Sequence, residues 1–288
     1  MASSLLTAYH IFCWTSDASV TILWLCLYCG VRARTCWSGD FTMGSRATFY
    51  TSLCMCITTG IACVVLVVYW FWRWHGGFAW DGTQAQFNWH PVLMISGLLV
   101  LYGLAAVLYR VPWGWSHKKR GWKMLHAGLM LAALILAGVG LHAVFVVHRN
   151  LNIPALYSLH SWVGMSAVVT FAWQWFLGLV GFLLPCSAPR LGGALKGIHV
   201  WTGQAVLMLT LAACISGINE QLFFALDGVS ASAYSSLPVE ALLGNMLGVL
   251  TVAFSVLVFG ILSKTDWQRP NTNTNDEATP ILLREEAI

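Results

Sequence analysis

Six stretches of this chain are long and apolar enough to cross a lipid bilayer, and that leaves little choice of fold. A hydrocarbon core of about 30 Å takes about 20 mostly apolar residues per helix. Roughly residues 49 to 72, 90 to 110, 124 to 147, 157 to 184, 198 to 222 and 240 to 263 each meet that demand. Hydrophobic residues make up 58% of the 288 and charged residues 9%, with a mean hydropathy of +0.70, so no soluble domain remains to be built. The connections are short, which makes neighbouring helices antiparallel. The expected fold class is an all-α membrane protein, a bundle of six transmembrane helices running up and down.

Arginine and lysine orient the bundle. Arg110, Lys118, Lys119, Arg120 and Lys123 follow the second span, Arg190 and Lys196 the fourth, and Lys264 and Arg269 the sixth; the opposite side has only Arg73 and Arg149. The positive-inside rule then places these loops and both termini in the cytosol. The net charge of +4 follows from topology and predicts no nucleic-acid partner. The chain divides into a cytosolic lead, residues 1–48, a transmembrane domain, 49–264, and a cytosolic tail, 265–288. Within the lead, residues 18–30 are apolar but too short to span, and no small-residue cleavage site marks a signal peptide. "MGSRATFY" from Met43 would make a natural start, so residues 1–42 read as a disordered lead or a gene-model extension. The tail from Pro270, rich in Asn, Thr and charge, reads as disordered. Of nine cysteines, Cys54, Cys56, Cys63 and Cys214 lie in spans, where a small buried hydrophobe is the usual role; neither zinc-like spacing nor a disulfide framework is expected.

The histidines carry the chemistry. His90, His126, His160 and His199 each lie near the start of the second, third, fourth and fifth spans. Because the helices alternate in direction, His90 and His160 enter from the non-cytosolic side and His126 and His199 from the cytosol. They sort into two pairs, one near each face. A polar group inside a bilayer is costly and marks function, and a neutral imidazole nitrogen ligates haem iron well. Each pair is expected to clamp one haem b, two haems in all. "HSWVG" at 160–164 and "HVWTG" at 199–203 place a glycine four residues after the histidine, on the same helix face, leaving room for a macrocycle. Six-coordinate iron has no open position for oxygen, which favours electron transfer across the bilayer.

Together "FNWHPVLM", "YRVPW" with its basic loop, "HAGL", "LYSLHSWVG" and "IHVWTG" resemble the cytochrome b561 family, from about Phe49 to Pro270. "YWFWRWHGGFAWDG", "ISGINEQLFFAL" and "PILLREE" look most like its lysosomal, ascorbate-dependent member. The resemblance implies that cytosolic ascorbate gives one electron to the cytosolic haem, which passes it to the other. The acceptor beyond is ferric iron or monodehydroascorbate, and the chain is expected to be a homodimer.

Ascorbate is an anion at neutral pH, and a basic funnel concentrates such a substrate. Arg110, Lys118, Lys119, Lys123 and Lys196 are the candidate contacts, with Lys123 and Lys196 each three residues before a histidine ligand. Tyr109 and Arg110 in "LYRV" match the family's ascorbate segment. The family's arginine seven residues before the fifth-helix ligand is absent: Gly192 stands there, with Arg190 nearby. On the other face His148 matches a loop histidine near the family's non-cytosolic substrate, with Asn152 and Tyr157 as neighbours, while Glu220 either attracts a cation or caps the bundle. His10, His75, His117 and His142 are expected to be structural. Trp70, Trp72, Trp74, Trp89, Trp113, Trp115 and Trp267, near span ends, read as an aromatic belt.

In the tail, Glu277 four residues before Ile281 and Leu282 is similar to an acidic dileucine signal read by an adaptor complex, pointing to a late endosomal or lysosomal membrane. The expected activity is an ascorbate-dependent transmembrane ferric reductase. Regeneration of lumenal ascorbate from monodehydroascorbate is an alternative in the same fold. A histidine-lined metal-ion carrier is an alternative of another class and needs carboxylates within the spans, which hold almost none.

Overall fold

The structure, a computed structural model, describes residues 43–116, 119–184, 189–227 and 233–269. Within these, six helices reach membrane length: α1 Met43–Trp74, α2 Gln84–Arg110, α3 Lys119–Asn150, α4 Leu159–Phe182, α5 Pro189–Leu226 and α6 Val239–Ser263. His10, His117, Lys118, Glu277, Ile281 and Leu282 lie outside the described residues.

Several helices overrun the apolar stretches that announce them. Helix α3 starts at Lys119 and α5 at Pro189, because hydropathy marks only the part in hydrocarbon, whereas backbone bonding continues through polar turns. Proline suits the first helical position, where its missing N–H would be unpaired anyway. Helix α4 instead starts later than its apolar run. Extended Ser158 caps it, its hydroxyl accepting from Ser161 N at 3.3 Å, which satisfies one of the free N–H groups of the first turn.

Helix α2 is the centre of the bundle: 56% of its most apolar window is buried, against 22–33% in the other five. It is also irregular. Two short helical pieces, Gln84–Phe87 and Trp89–Leu93, lead into a π-helical segment at Met94–Leu101, then an α-helix at Tyr102–Val107 and a 3₁₀ turn at Leu108–Arg110. Pro91 interrupts the normal bonding pattern at its start, and the wider π turn changes which face later residues present. Helix α6 closes on α1 and α2 around buried Phe254. A Cβ at Gly60 would stand 3.0 Å from that ring and one at Gly103 2.8 Å, so small residues here let helices approach closely.

The tryptophans correct one expectation. Trp72 and Trp113 are exposed, as a belt requires, but Trp70 and Trp267 are buried. The reason is a hydrogen-bond partner inside the bundle for each indole: Trp70 Nε1 donates to Glu240 Oε1 at 2.9 Å and Trp267 Nε1 to Ser45 Oγ at 3.2 Å.

Candidate functional site

The sequence motif around His90 is held by its neighbours. Gly76 and Gly77, both at φ +77°, let the chain turn after α1. Buried Asn88 then staples that turn, donating through Nδ2 to His75 O at 2.8 Å and Gly77 O at 2.6 Å, while Trp89 Nε1 donates to Ala79 O at 3.1 Å. His90 therefore sits near the start of α2 in a fixed register.

His90 and His160 face each other with ring centres 6.2 Å apart. At the other, basic end, His126 and His199 stand 6.4 Å apart. Two imidazole–metal bonds of about 2.0 Å each, added to the ring radii, would place ring centres about 6.3 Å apart, so both pairs have the spacing to grip one metal ion between them. Tautomers agree with that geometry. Nδ1 of His90 lies 3.1 Å from Gly140 O, Nδ1 of His160 2.9 Å from Ala213 O and Nδ1 of His126 2.9 Å from Ala105 O. A carbonyl oxygen only accepts, so each Nδ1 carries the proton and each Nε2 keeps its lone pair for a metal. Nδ1 of His199 is buried and finds no protein acceptor among the described residues. Its ring packs instead against Phe182, centres 5.3 Å apart, and against Gly178.

At the His90 end a cavity is walled by His90 and His160 and also by His148, Tyr157, Ser158 and Glu220. His148 stacks on Phe87, ring centres 6.3 Å apart and 5° from parallel. Ser158 Oγ donates to Glu220 Oε2 at 3.2 Å. Desolvation and then the Glu220 charge raise the Tyr157 hydroxyl above its ordinary range, so it stays a neutral donor. Asn152 does not line this cavity; at φ 55° it shapes the turn after α3.

At the basic end the Tyr109 ring lies 5.2 Å from that of His126. Arg110 turns away to the end of α6, donating from Nη1 to Lys264 O at 2.8 Å and from Nη2 to Leu262 O. Lys196 is exposed, Lys123 half-buried, and the Lys119 amine is buried without a hydrogen-bond partner.

Several residues that shape these sites escape a reading of spacing alone. Buried Glu240 accepts from both Trp70 and His75, the latter at 2.9 Å. Gly217 makes room for His160, since a Cβ there would stand 2.6 Å from His160 Cε1. Buried Gln174 and its neighbour Trp175 reach helices α5 and α3. Gln174 and Glu240 were findable, because a lone polar residue in or at the start of an apolar span asks for a partner. His142 stacks on Trp80, in line with a structural part. Among the described residues no three His, Cys, Asp or Glu side chains gather in one group.

A profile of the eukaryotic cytochrome b561 family matches residues 89–225, which hold all four paired histidines. The chain is 50% identical to the lysosomal membrane ascorbate-dependent ferrireductase of Danio rerio, over 79% of this chain and 93% of that protein. It is 47% identical to the Homo sapiens protein of the same name, over 81% and 96%. It is 39% identical to the plasma membrane ascorbate-dependent reductase of Xenopus laevis, over 83% and 84%.

Proposed function

The chain belongs to the cytochrome b561 family, and from that we propose that it is an ascorbate-dependent ferrireductase of the lysosomal or late endosomal membrane, passing single electrons from cytosolic ascorbate to lumenal ferric iron. The observation that carries this is the pair of opposed histidine couples, 6.2 and 6.4 Å between ring centres, one near each end of the bundle. Haem b, where bound between paired imidazoles, would supply a one-electron iron couple. His90 and His160 would hold one haem, and His126 and His199 the second. Carbonyls of Gly140, Ala213 and Ala105 fix three of the rings with Nε2 inward, which keeps the ligands neutral and preorganised.

Both termini and the basic end face the cytosol on this reading. Lys119, Lys123 and Lys196, with Lys118, draw in anionic ascorbate, and Tyr109 places an aromatic ring beside His126. Arg110 adds charge while holding the end of α6. At the lumenal mouth, His148 and Glu220 offer nitrogen and oxygen donors to ferric iron, and Tyr157 a hydroxyl. Asn152 acts through the turn. Residues 1–48 form the cytosolic lead and 265–288 the tail, in which Glu277, Ile281 and Leu282 address the protein through an adaptor complex; the unit is a homodimer.

The test is an absorption spectrum of the purified chain with haem stoichiometry, followed by ascorbate and then ferric citrate. Two low-spin haems per chain are expected, reduced by ascorbate and reoxidised by ferric iron. His90→Ala or His160→Ala removes one haem, His126→Ala or His199→Ala the other. Four variants with full haem content would overturn the assignment.

A further inference from the structure

Two consecutive side chains on α4 each reach a different neighbouring helix. Gln174 Nε2 donates to the carbonyl of His199 itself, on α5. Trp175 Nε1 donates at 3.1 Å to Ala127 O, the residue after His126 on α3. The two acceptors belong to the two helices that carry the basic-end pair, and each sits at or beside the paired histidine. From α2, Tyr102 donates to Gly203 O, one turn beyond His199, at 2.8 Å. Gly203 is what allows this crowding: a Cβ there would stand 3.4 Å from Gln174 Nε2 and 3.5 Å from the Tyr102 hydroxyl.

We propose that Gln174 and Trp175 are positioning residues for the basic-end pair, setting the separation and orientation of His126 and His199 by holding their main chains. Two physical points support this. An amide buried inside a membrane span is costly unless its hydrogen bonds are made, and Gln174 is buried, so its bond to His199 O is a firm tie. Secondly, His90, His126 and His160 each have a carbonyl acceptor at Nδ1 to orient the ring, whereas His199 has none among the described residues. Beyond its packing on Phe182 and Gly178, His199 is therefore fixed through its backbone carbonyl, the group Gln174 grips. Helix α4 also carries His160, about 21 Å away along the axis at 1.5 Å per residue, so one rigid rod bears a ligand of one pair and the clamp of the other.

The inference rests on the two-haem reading above, and its test separates the two. Electron paramagnetic resonance and redox titration of the full-length chain in nanodiscs, compared with His126→Ala, first identify the basic-end signal. Gln174→Met keeps the side chain's length and Trp175→Phe keeps an aromatic ring, and each removes the donor. Each is expected to retain two haems, to change the g-values and midpoint potential of the basic-end centre alone, and to speed loss of that haem to excess apomyoglobin about tenfold, as when a partner of a metal ligand is removed. Unchanged g-values, potential and loss rate at that centre would overturn the proposal and leave the two-haem reading standing, as would equal changes at both centres. If Gln174→Met fails to assemble, Trp175→Phe decides alone. If no signal in the parent protein depends on His126, the two-haem reading fails and this proposal with it.

Discussion

The two ends of the bundle hold the same kind of histidine pair in different ways. At the His90 end both Nδ1 atoms meet carbonyls, on α3 and α5, and the pair borders a cavity with His148, Tyr157 and Glu220 at its wall. At the basic end only His126 has such a carbonyl, and His199 depends on Phe182, Gly178 and the α4 clamp. Similar imidazole spacing is thus reached by ring-to-carbonyl bonds at one end and partly by main-chain ties at the other. The lesson is that a ligand pair is specified less by its own residues than by what fixes the backbone and ring behind each.

The largest effects come from the ligands. His160→Ala should remove one haem per chain and leave a spectrum with the basic-end signature, while His199→Ala does the converse; variants that lose both would show the ends to be interdependent. Next come the glycines beneath the rings. Gly217→Ala puts a Cβ 2.6 Å from His160 Cε1, whereas Gly178→Ala leaves 3.0 Å to His199 Cε1. Both gain helix propensity of up to about 1 kcal/mol, so melting temperature need not fall. Haem retention should fall in Gly217→Ala, by about tenfold in affinity, and much less in Gly178→Ala, measured by haem-to-protein ratio after washing. Equal losses would remove the contrast between a tightly seated and a loosely seated ring.

The six helices and the four paired histidines were legible because hydrophobic length and alternating direction are properties of the sequence alone. What seats those histidines was not. The acceptors Gly140, Ala213 and Ala105 lie 50, 53 and 21 residues from their partners, and they act through backbone oxygens that every residue type possesses. The same limit explains Trp70: its position near a span end suggests a belt, and only the fold reveals Glu240 opposite its indole. Arg110 reads as a substrate contact from its place in a basic cluster, yet carbonyls at the end of α6, far along the chain, take two of its donors.

Arg110 therefore offers a smaller and sharper test at the basic end. Arg110→Met frees the Leu262 and Lys264 carbonyls and should lower stability by about 1–2 kcal/mol, with a modest rise in the KM for ascorbate from the lost charge. Lys196→Ala, at an exposed site, should raise that KM with a smaller loss of stability than Arg110→Met. If Arg110→Met changed only the KM, the arginine would be a docking residue first.

The smallest effect belongs to the opposite end, where His75 and Trp70 share one oxygen of Glu240. Burial holds the His75 imidazole below its ordinary value of 6.5 and outweighs the attraction of Glu240, which acts the other way through charge and hydrogen bond. An unfolded His75 takes up a proton as pH drops below 6.5, while the folded one resists until lower pH. Across that window the unfolded state binds more protons, so stability falls as pH falls. His75→Gln keeps a donor for Glu240 and removes the titration. Its melting temperature should lose the part of the acid dependence that lies below pH 6.5, measured against the parent chain in the same detergent. An unaltered profile would place the acid response in other groups and make this end no more pH-sensitive than the basic one.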